Sequence, residues 1–260
     1  MSRRPLLAVG SLAVALAACA GAPARAPEFD SNPAADGFDL AGSDPRAVAI
    51  ADQVMAAMGG RRAWDSARVL KWTFFGRRRW IWDRSSGDVR LDDGERMVQM
   101  NVDSGEGRVF ERGVEIDDPE QVAETLEGTR RAWINDSYWL VMPYKLKDGG
   151  VTLDWGGEER LGDGRAADVL VLTFEGVGVT PQNRYEVLVS RDRHLVEAWR
   201  YFEKRADTQP ALVTPWGDWR RYGPILLSGG RGERRLEGIA VRGEPPPELH
   251  APPGDGTSEP

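Results

Sequence analysis

The chain has 260 residues, 29% of them charged, and a formal net charge of -7. That acidic balance argues against nucleic acid as a partner, because phosphate recognition wants a basic surface. A single cysteine excludes an intramolecular disulfide, and one cysteine with two histidines, His194 and His250, cannot supply the usual zinc ligands. A carboxylate-rich Ca or Mg site stays open, but no EF-hand-like loop is present, and neither a metal nor a cofactor is expected.

Met1 to Arg4 gives a short positive region, Leu6 to Leu16 an apolar stretch, and Ala17-Ala18 the small residues a signal peptidase needs. The stretch is too short to span a bilayer, which takes roughly 20 residues. Cys19 closes the run Leu16-Ala17-Ala18-Cys19, which resembles the lipobox of bacterial prolipoproteins. The plain alternative is an incidental cysteine in an ordinary signal, but the only cysteine falls where the lipid chemistry needs it. The resemblance implies removal of residues 1–18, lipidation of Cys19 and, with three acyl chains, a permanent membrane attachment. Loss of Arg3 and Arg4 takes the net charge from -7 to -9. An Asp after the cysteine favours the inner membrane in such proteins. Ala20 stands there instead, which implies the outer membrane of a Gram-negative cell, facing the periplasm. Residues 19–42, rich in Ala, Pro, Gly and acid, read as a tether with a reach of about 25–30 Å.

Asp44-Pro45 is an N-cap followed by proline, and Val48, Ala51, Met55 and Met58 recur at helical spacing until Gly59-Gly60, which predicts an amphipathic helix. The period then becomes two. Leu70, Trp72 and Phe74 share a face, and beyond Gly76 so do Trp80 and Trp82, with Arg77, Arg79 and Asp83 opposite. Strands are expected at 89–92, 96–102 (Val98, Met100 and Val102 on one face) and 108–112. Asp118-Pro119 repeats the cap signature and starts one long or two short helices ending at Pro143. Strands resume at 151–155, 160–161, 167–174, 184–190, 195–204, 220–227 and 233–241. The expected fold is α+β: a curled antiparallel half-open barrel of about ten or eleven strands, with an N-terminal helix and a helical insertion over its concave face. The domain spans residues 43–243, and the proline-rich tail 244–260 is expected to stay disordered.

This layout resembles the LolA/LolB-like fold of outer-membrane lipoprotein-sorting proteins. Residues 139–148 (WLVMPYKLKD), the stretch 173–185 with its Gly178-Val179-Thr180-Pro181 turn, and Thr214-Pro215-Trp216 followed by Trp219 and Tyr222-Gly223 resemble a family of bacterial envelope lipoproteins with that fold. The resemblance covers about residues 45 to 230 and implies a fold and a binding class, with no catalytic residues. A soluble carrier has no anchor, so anchoring points to an acceptor-type arrangement or another task.

Ten tryptophans allow two readings. In one, Trp72, Phe74, Trp80, Trp82, Val98, Met100 and Trp139 line a cavity for a lipid or lipoprotein acyl chain, which the helix 133–142 partly covers. In the other, the same residues fill the core of a structural or interaction lipoprotein that takes no ligand. No nucleophile elbow, P-loop, dinucleotide fingerprint or zinc-protease motif is present. His194 reads as a turn residue, Asp92-Asp93, Asp117-Asp118 and Glu158-Glu159 as caps or solvated ends, and the basic runs 77–79 and 234–235 as solvated faces. No enzyme activity is expected, and the partners are the membrane and an apolar ligand.

Overall fold

Side-chain capping starts both long helices. In the computed structural model, which describes residues 31–176 and 182–254, the Asp44 carboxylate accepts from the amides of Arg46 and Ala47 and opens α1 (Pro45–Ala57). Two positive-φ glycines, Gly59 and Gly60, turn the chain out of this helix. A side chain at Gly59 would lie 2.6 Å from the Pro224 carbonyl, so only glycine fits. A short helix, α2 (Arg61–Ser66), follows where the sequence carries no helical signal.

Six strands come next: β1 (Val69–Phe74), β2 (Arg78–Asp83), β3 (Asp88–Asp93), β4 (Arg96–Asn101), β5 (Gly107–Glu111) and β6 (Val114–Glu115). Asp118 then caps a single 23-residue helix, α3 (Pro119–Val141), by accepting from the amides of Glu120 and Gln121. A 3-10 turn, Met142–Tyr144, leads into β7 (Val151–Arg160), β8 (Ala166–Phe174), β9 (Arg184–Ser190), β10 (Val196–Phe202), β11 (Leu212–Pro215), β12 (Gly217–Tyr222), β13 (Ile225–Arg231) and β14 (Arg234–Arg242).

The single curled sheet expected from the sequence is instead two antiparallel sheets, neither closed into a barrel. Among the described residues there are fourteen strands, ordered β12-β13-β14-β1-β2-β3-β4-β5-β6 in one sheet and β11-β10-β9-β8-β7 in the other. The division falls at Trp216, which is fully buried between β11 of the small sheet and β12 of the large one. Pro215 beside it has no N–H to extend a ladder, which favours a change of sheet there. The extra strands have local causes. The run 220–227 breaks into β12 and β13 at Gly223, whose φ is 59°, and β6 and β11 are edge strands of two and four residues.

The facing pattern of the first hairpin holds. Leu70, Trp72, Phe74 and Trp80 are buried on the inner side, and Trp72 pairs with Trp80 across the ladder. The opposite side is not left to solvent. Val69 and Ile81 bury Leu249, which sits in a 3-10 turn, Pro247–Leu249. Arg90 and Gln99 donate to the carbonyls of Leu249, Glu248 and Ala251. The described part of the tail is therefore held against the sheet, because Leu249 has an apolar seat and the carbonyls of Glu248, Leu249 and Ala251 have donors. The tether shortens for a similar reason: Phe38 is buried, and the amides of Asp39 and Asp44 pair with Val151 and Leu153 of β7. The family-like turn at Gly178-Val179-Thr180-Pro181 and the lipobox at Cys19 lie outside the described residues.

Candidate functional site

The second half of α3 is fixed to the large sheet by one carboxylate. Asp136 has no exposed surface and accepts from Arg78 Nε at 2.6 Å, Arg78 Nη2 at 2.8 Å, Trp80 Nε1 at 2.9 Å and Asn135 Nδ2 at 2.9 Å. A two-pronged guanidinium–carboxylate pair is among the stronger hydrogen-bonded contacts, and the Asp136 bond raises the Arg78 guanidinium further above its ordinary range. Arg78 is therefore not part of a solvated basic face. The signal for this pair is a lone carboxylate three residues after Trp133 and four before Leu140, on the apolar stripe of the helix.

Aromatic rings fill the space around that pin. Trp72 stacks on Trp80 with centroids 6.1 Å apart, Trp133 meets Trp82 edge-on at 5.1 Å, and Trp139 meets Phe74 at 6.3 Å and Phe75 at 5.3 Å. Trp139 also packs edge-on against Trp199 at 4.8 Å, so α3 touches both sheets. All seven residues nominated from the sequence share one interior: Trp72, Phe74, Trp80, Val98 and Met100 within it, Trp82 and Trp139 packed against it. Trp72, Trp80 and Val98 are wholly buried, as filling residues are. The segment expected to act as a lid, 133–142, is the part of α3 that is pinned.

The open space lies under the other half of the helix. A groove of about 350 Å³ runs between β4 and the start of α3, with Met100 beneath, Val122, Ala123 and Leu126 along the helix, and Glu127 and Arg130 at its lip. Of the seven nominated residues, Met100 lines it. Gly107 keeps the neighbouring strand tight, since a side chain there would come within 2.4 Å of the Gln99 carbonyl and 2.6 Å of Met100 Cβ. Gly128, in the middle of α3, has nothing within 4 Å of where a side chain would begin. Packing therefore does not explain it, and it weakens the helix at the boundary between groove and pin.

A second buried charge escaped the sequence reading. Arg231, at the end of β13, is the only buried arginine among the described residues. Its Nη1 donates to Ser228 Oγ at 2.8 Å and to the Gly230 carbonyl at 2.7 Å, and its Nη2 donates to the Trp139 carbonyl. The guanidinium lies 3.6 Å over the Trp216 ring. Burial pushes it down to about 9. A cation directly after Ser-Gly-Gly in an apolar strand is the only trace of it in the sequence.

The titratable groups singled out in the sequence lie in a turn or in ion pairs. His194 occupies the β9–β10 turn with φ 53°, Asp92 and Asp93 pair with Arg79, Arg90 and Arg77, and Glu158 and Glu159 pair with Arg46, Arg191 and Arg200. Among the described residues no three His, Cys, Asp or Glu side chains converge as metal ligands.

No family model and no curated relative matches the chain. Solved structures do. A DUF1329 family protein from Desulfovibrio piger matches at 12% identity and TM-score 0.40, over 76% of this chain and 94% of that one. An outer membrane lipoprotein-sorting protein domain from Vibrio parahaemolyticus matches at 6% identity and TM-score 0.38, over 76% and 92%. A chain of the Pseudomonas aeruginosa MucA/MucB complex matches at 17% identity and TM-score 0.24, over 63% and 56%. All three TM-scores lie below 0.5, so these likenesses assign this chain neither a family nor a ligand nor a partner.

Proposed function

We propose that this chain is an outer-membrane lipoprotein, anchored through Cys19 and facing the periplasm, that binds one acyl chain of a lipid or lipoprotein in the groove under the first half of α3. The groove is the observation that supports this most. Its floor and helix wall are apolar and its lip carries charge, the arrangement that suits an apolar chain with a polar end. At about 350 Å³ it lies near the bottom of the roughly 300–1,000 Å³ range of small-ligand sites, which suits one chain and not a whole multi-chain lipid. Binding is by desolvation, at about 0.8 kcal/mol per buried methylene, and no bond is made or broken.

The buried state of Trp72, Trp80 and Val98 favours a second reading, a filled-core structural or interaction lipoprotein. Dodecanoate added to the full chain separates the two. Groove binding gives a saturable change in tryptophan emission that Ala123→Trp abolishes, because Ala123 is an exposed groove residue whose enlargement blocks the space without touching the core. No saturable change in the unsubstituted chain would leave the filled-core reading. Anchoring has its own test: Cys19→Ala is expected to leave the membrane fraction or to stay unprocessed. A processed variant that still sediments with membranes at high salt contradicts it.

A further inference from the structure

We propose that Arg130, at the lip of the groove, holds the head of a single-chain amphiphile that carries one negative charge; this rests on the acyl-chain reading above and specifies the head of its ligand. Arg130 is the one cationic side chain that lines the groove. Among the described residues it joins no ion pair, and its one hydrogen bond runs from Nε to the Val102 carbonyl at 3.0 Å. That bond ties α3 to the residue just past β4. A guanidinium held through Nε keeps both Nη groups for other acceptors, and that outer edge is the fork that takes two oxygens of a carboxylate or phosphate end-on.

The position suits a head group. Val122, Leu126 and Arg130 follow one another at intervals of four and so stack on one face of α3. The guanidinium's residue stands about 6 Å along the axis from Leu126, so a chain lying along Val122 and Leu126 brings its polar end to Arg130. The charge there is not cancelled from within. Glu127, the other charged residue of the lip, lies 3.7 Å from Arg131, and that pair offsets itself. Asp103, next to Val102, lies against the turn at Gly87, 2.4 Å from where a side chain there would begin. One cation at the mouth calls for one negative charge, whereas a phosphate monoester carries nearly two. Arg130 is exposed, so the head keeps its contact with water, and the ion pair contributes selectivity while the chain contributes most of the affinity.

The test uses the full chain and probes that share a twelve-carbon chain: dodecanoate, lauroyl lysophosphatidylglycerol, dodecanol and dodecyltrimethylammonium, each titrated by calorimetry below its micelle-forming concentration. Dodecanoate is expected to bind more tightly than dodecyltrimethylammonium, and the preference should narrow between about 0.1 M and about 1 M salt as screening sets in. Arg130→Gln should lower the ratio of dodecanoate to dodecanol affinity about two- to fivefold, the range of an exposed ion pair, and Arg130→Lys should keep part of it. Whichever anionic probe binds more tightly identifies the head as a carboxylate or a phosphodiester, and its advantage over dodecanol must fall in Arg130→Gln. An unchanged ratio in Arg130→Gln, or tighter binding of the trimethylammonium probe to the unsubstituted chain, overturns the head assignment and leaves the groove standing. Saturable binding of none of the four overturns both the assignment and the acyl-chain reading.

Discussion

The two halves of α3 share one apolar stripe and differ in what lies beneath it. From Thr129 to Val141 the stripe is buried, with Asp136 tied to Arg78 and Trp80 and the Trp139 carbonyl held by Arg231. From Pro119 to Gly128 only Leu126 is buried, and the helix bridges a groove. A continuous helix thus serves as core at one end and as cover at the other. What separates the two roles is the presence of polar fasteners, since both halves present apolar side chains to the sheet. An element with few buried contacts opens at lower free-energy cost than one fixed at both packing and hydrogen-bond level.

Breaking the pinned half should cost most. Asp136→Ala leaves the Arg78 guanidinium and the Trp80 indole without their acceptor and is expected to destabilise by about 3–5 kcal/mol in urea unfolding. Trp80→Ala should cost a similar amount, about 3–5 kcal/mol, through the cavity it leaves. An unchanged unfolding midpoint for either variant would erase the distinction between the halves. In the cover half, Leu126→Ala is expected to cost about 2 kcal/mol, the low end for a leucine truncation, because one side of that side chain already faces the groove.

Acid supplies a control remote from α3. Burial pushes the Asp83 carboxyl up, but hydrogen bonds from Arg68 and Ser85 outweigh it and hold the group at about 2. A carboxyl whose folded value lies below its unfolded one contributes stability above the unfolded value, near 4, and loses it as the pH falls through about 2. Asp83 should account for about 2 kcal/mol of the acid loss over that window, so Asp83→Asn should lose less than the unsubstituted chain by that amount while the part from Glu115, Glu159 and Asp163, also held low by arginines, remains; an equal loss in both would place the sensitive group elsewhere. The smallest effect is a gain. Gly128→Ala should stabilise by about 1 kcal/mol, since the site is helical and open, and raise Tm by about 2–4 °C for a domain of this size.

The elements of this fold whose causes are local were legible in the sequence. Asp44-Pro45 and Asp118-Pro119 mark helix starts because a capping carboxylate and a proline act within one turn, and the period of two in β1 and β2 fixes which tryptophans turn inward. The split into two sheets depends on how Trp216 is received by strands distant in sequence, which no local pattern records. Leu249 looks like part of a disordered proline-rich tail until Val69 and Ile81 are seen to offer it a seat. The aromatic interior was readable as apolar and aromatic, but whether Trp72 and Trp80 fill or line a space is decided by distances between rings. Asp136 and Arg231 were passed over because charge reads as exposure until its partners, or their absence, are known.

Amide hydrogen exchange of the full chain, with and without dodecanoate, tests the division of α3 most directly. The account predicts that the amides of Val122 to Gly128 exchange at least tenfold faster than those of Asp136 to Val141 in the free protein. Dodecanoate is predicted to slow the first group several-fold and leave the second unchanged. Equal protection along the whole helix, with no response to a dodecanoate concentration that saturates tryptophan emission, would contradict it.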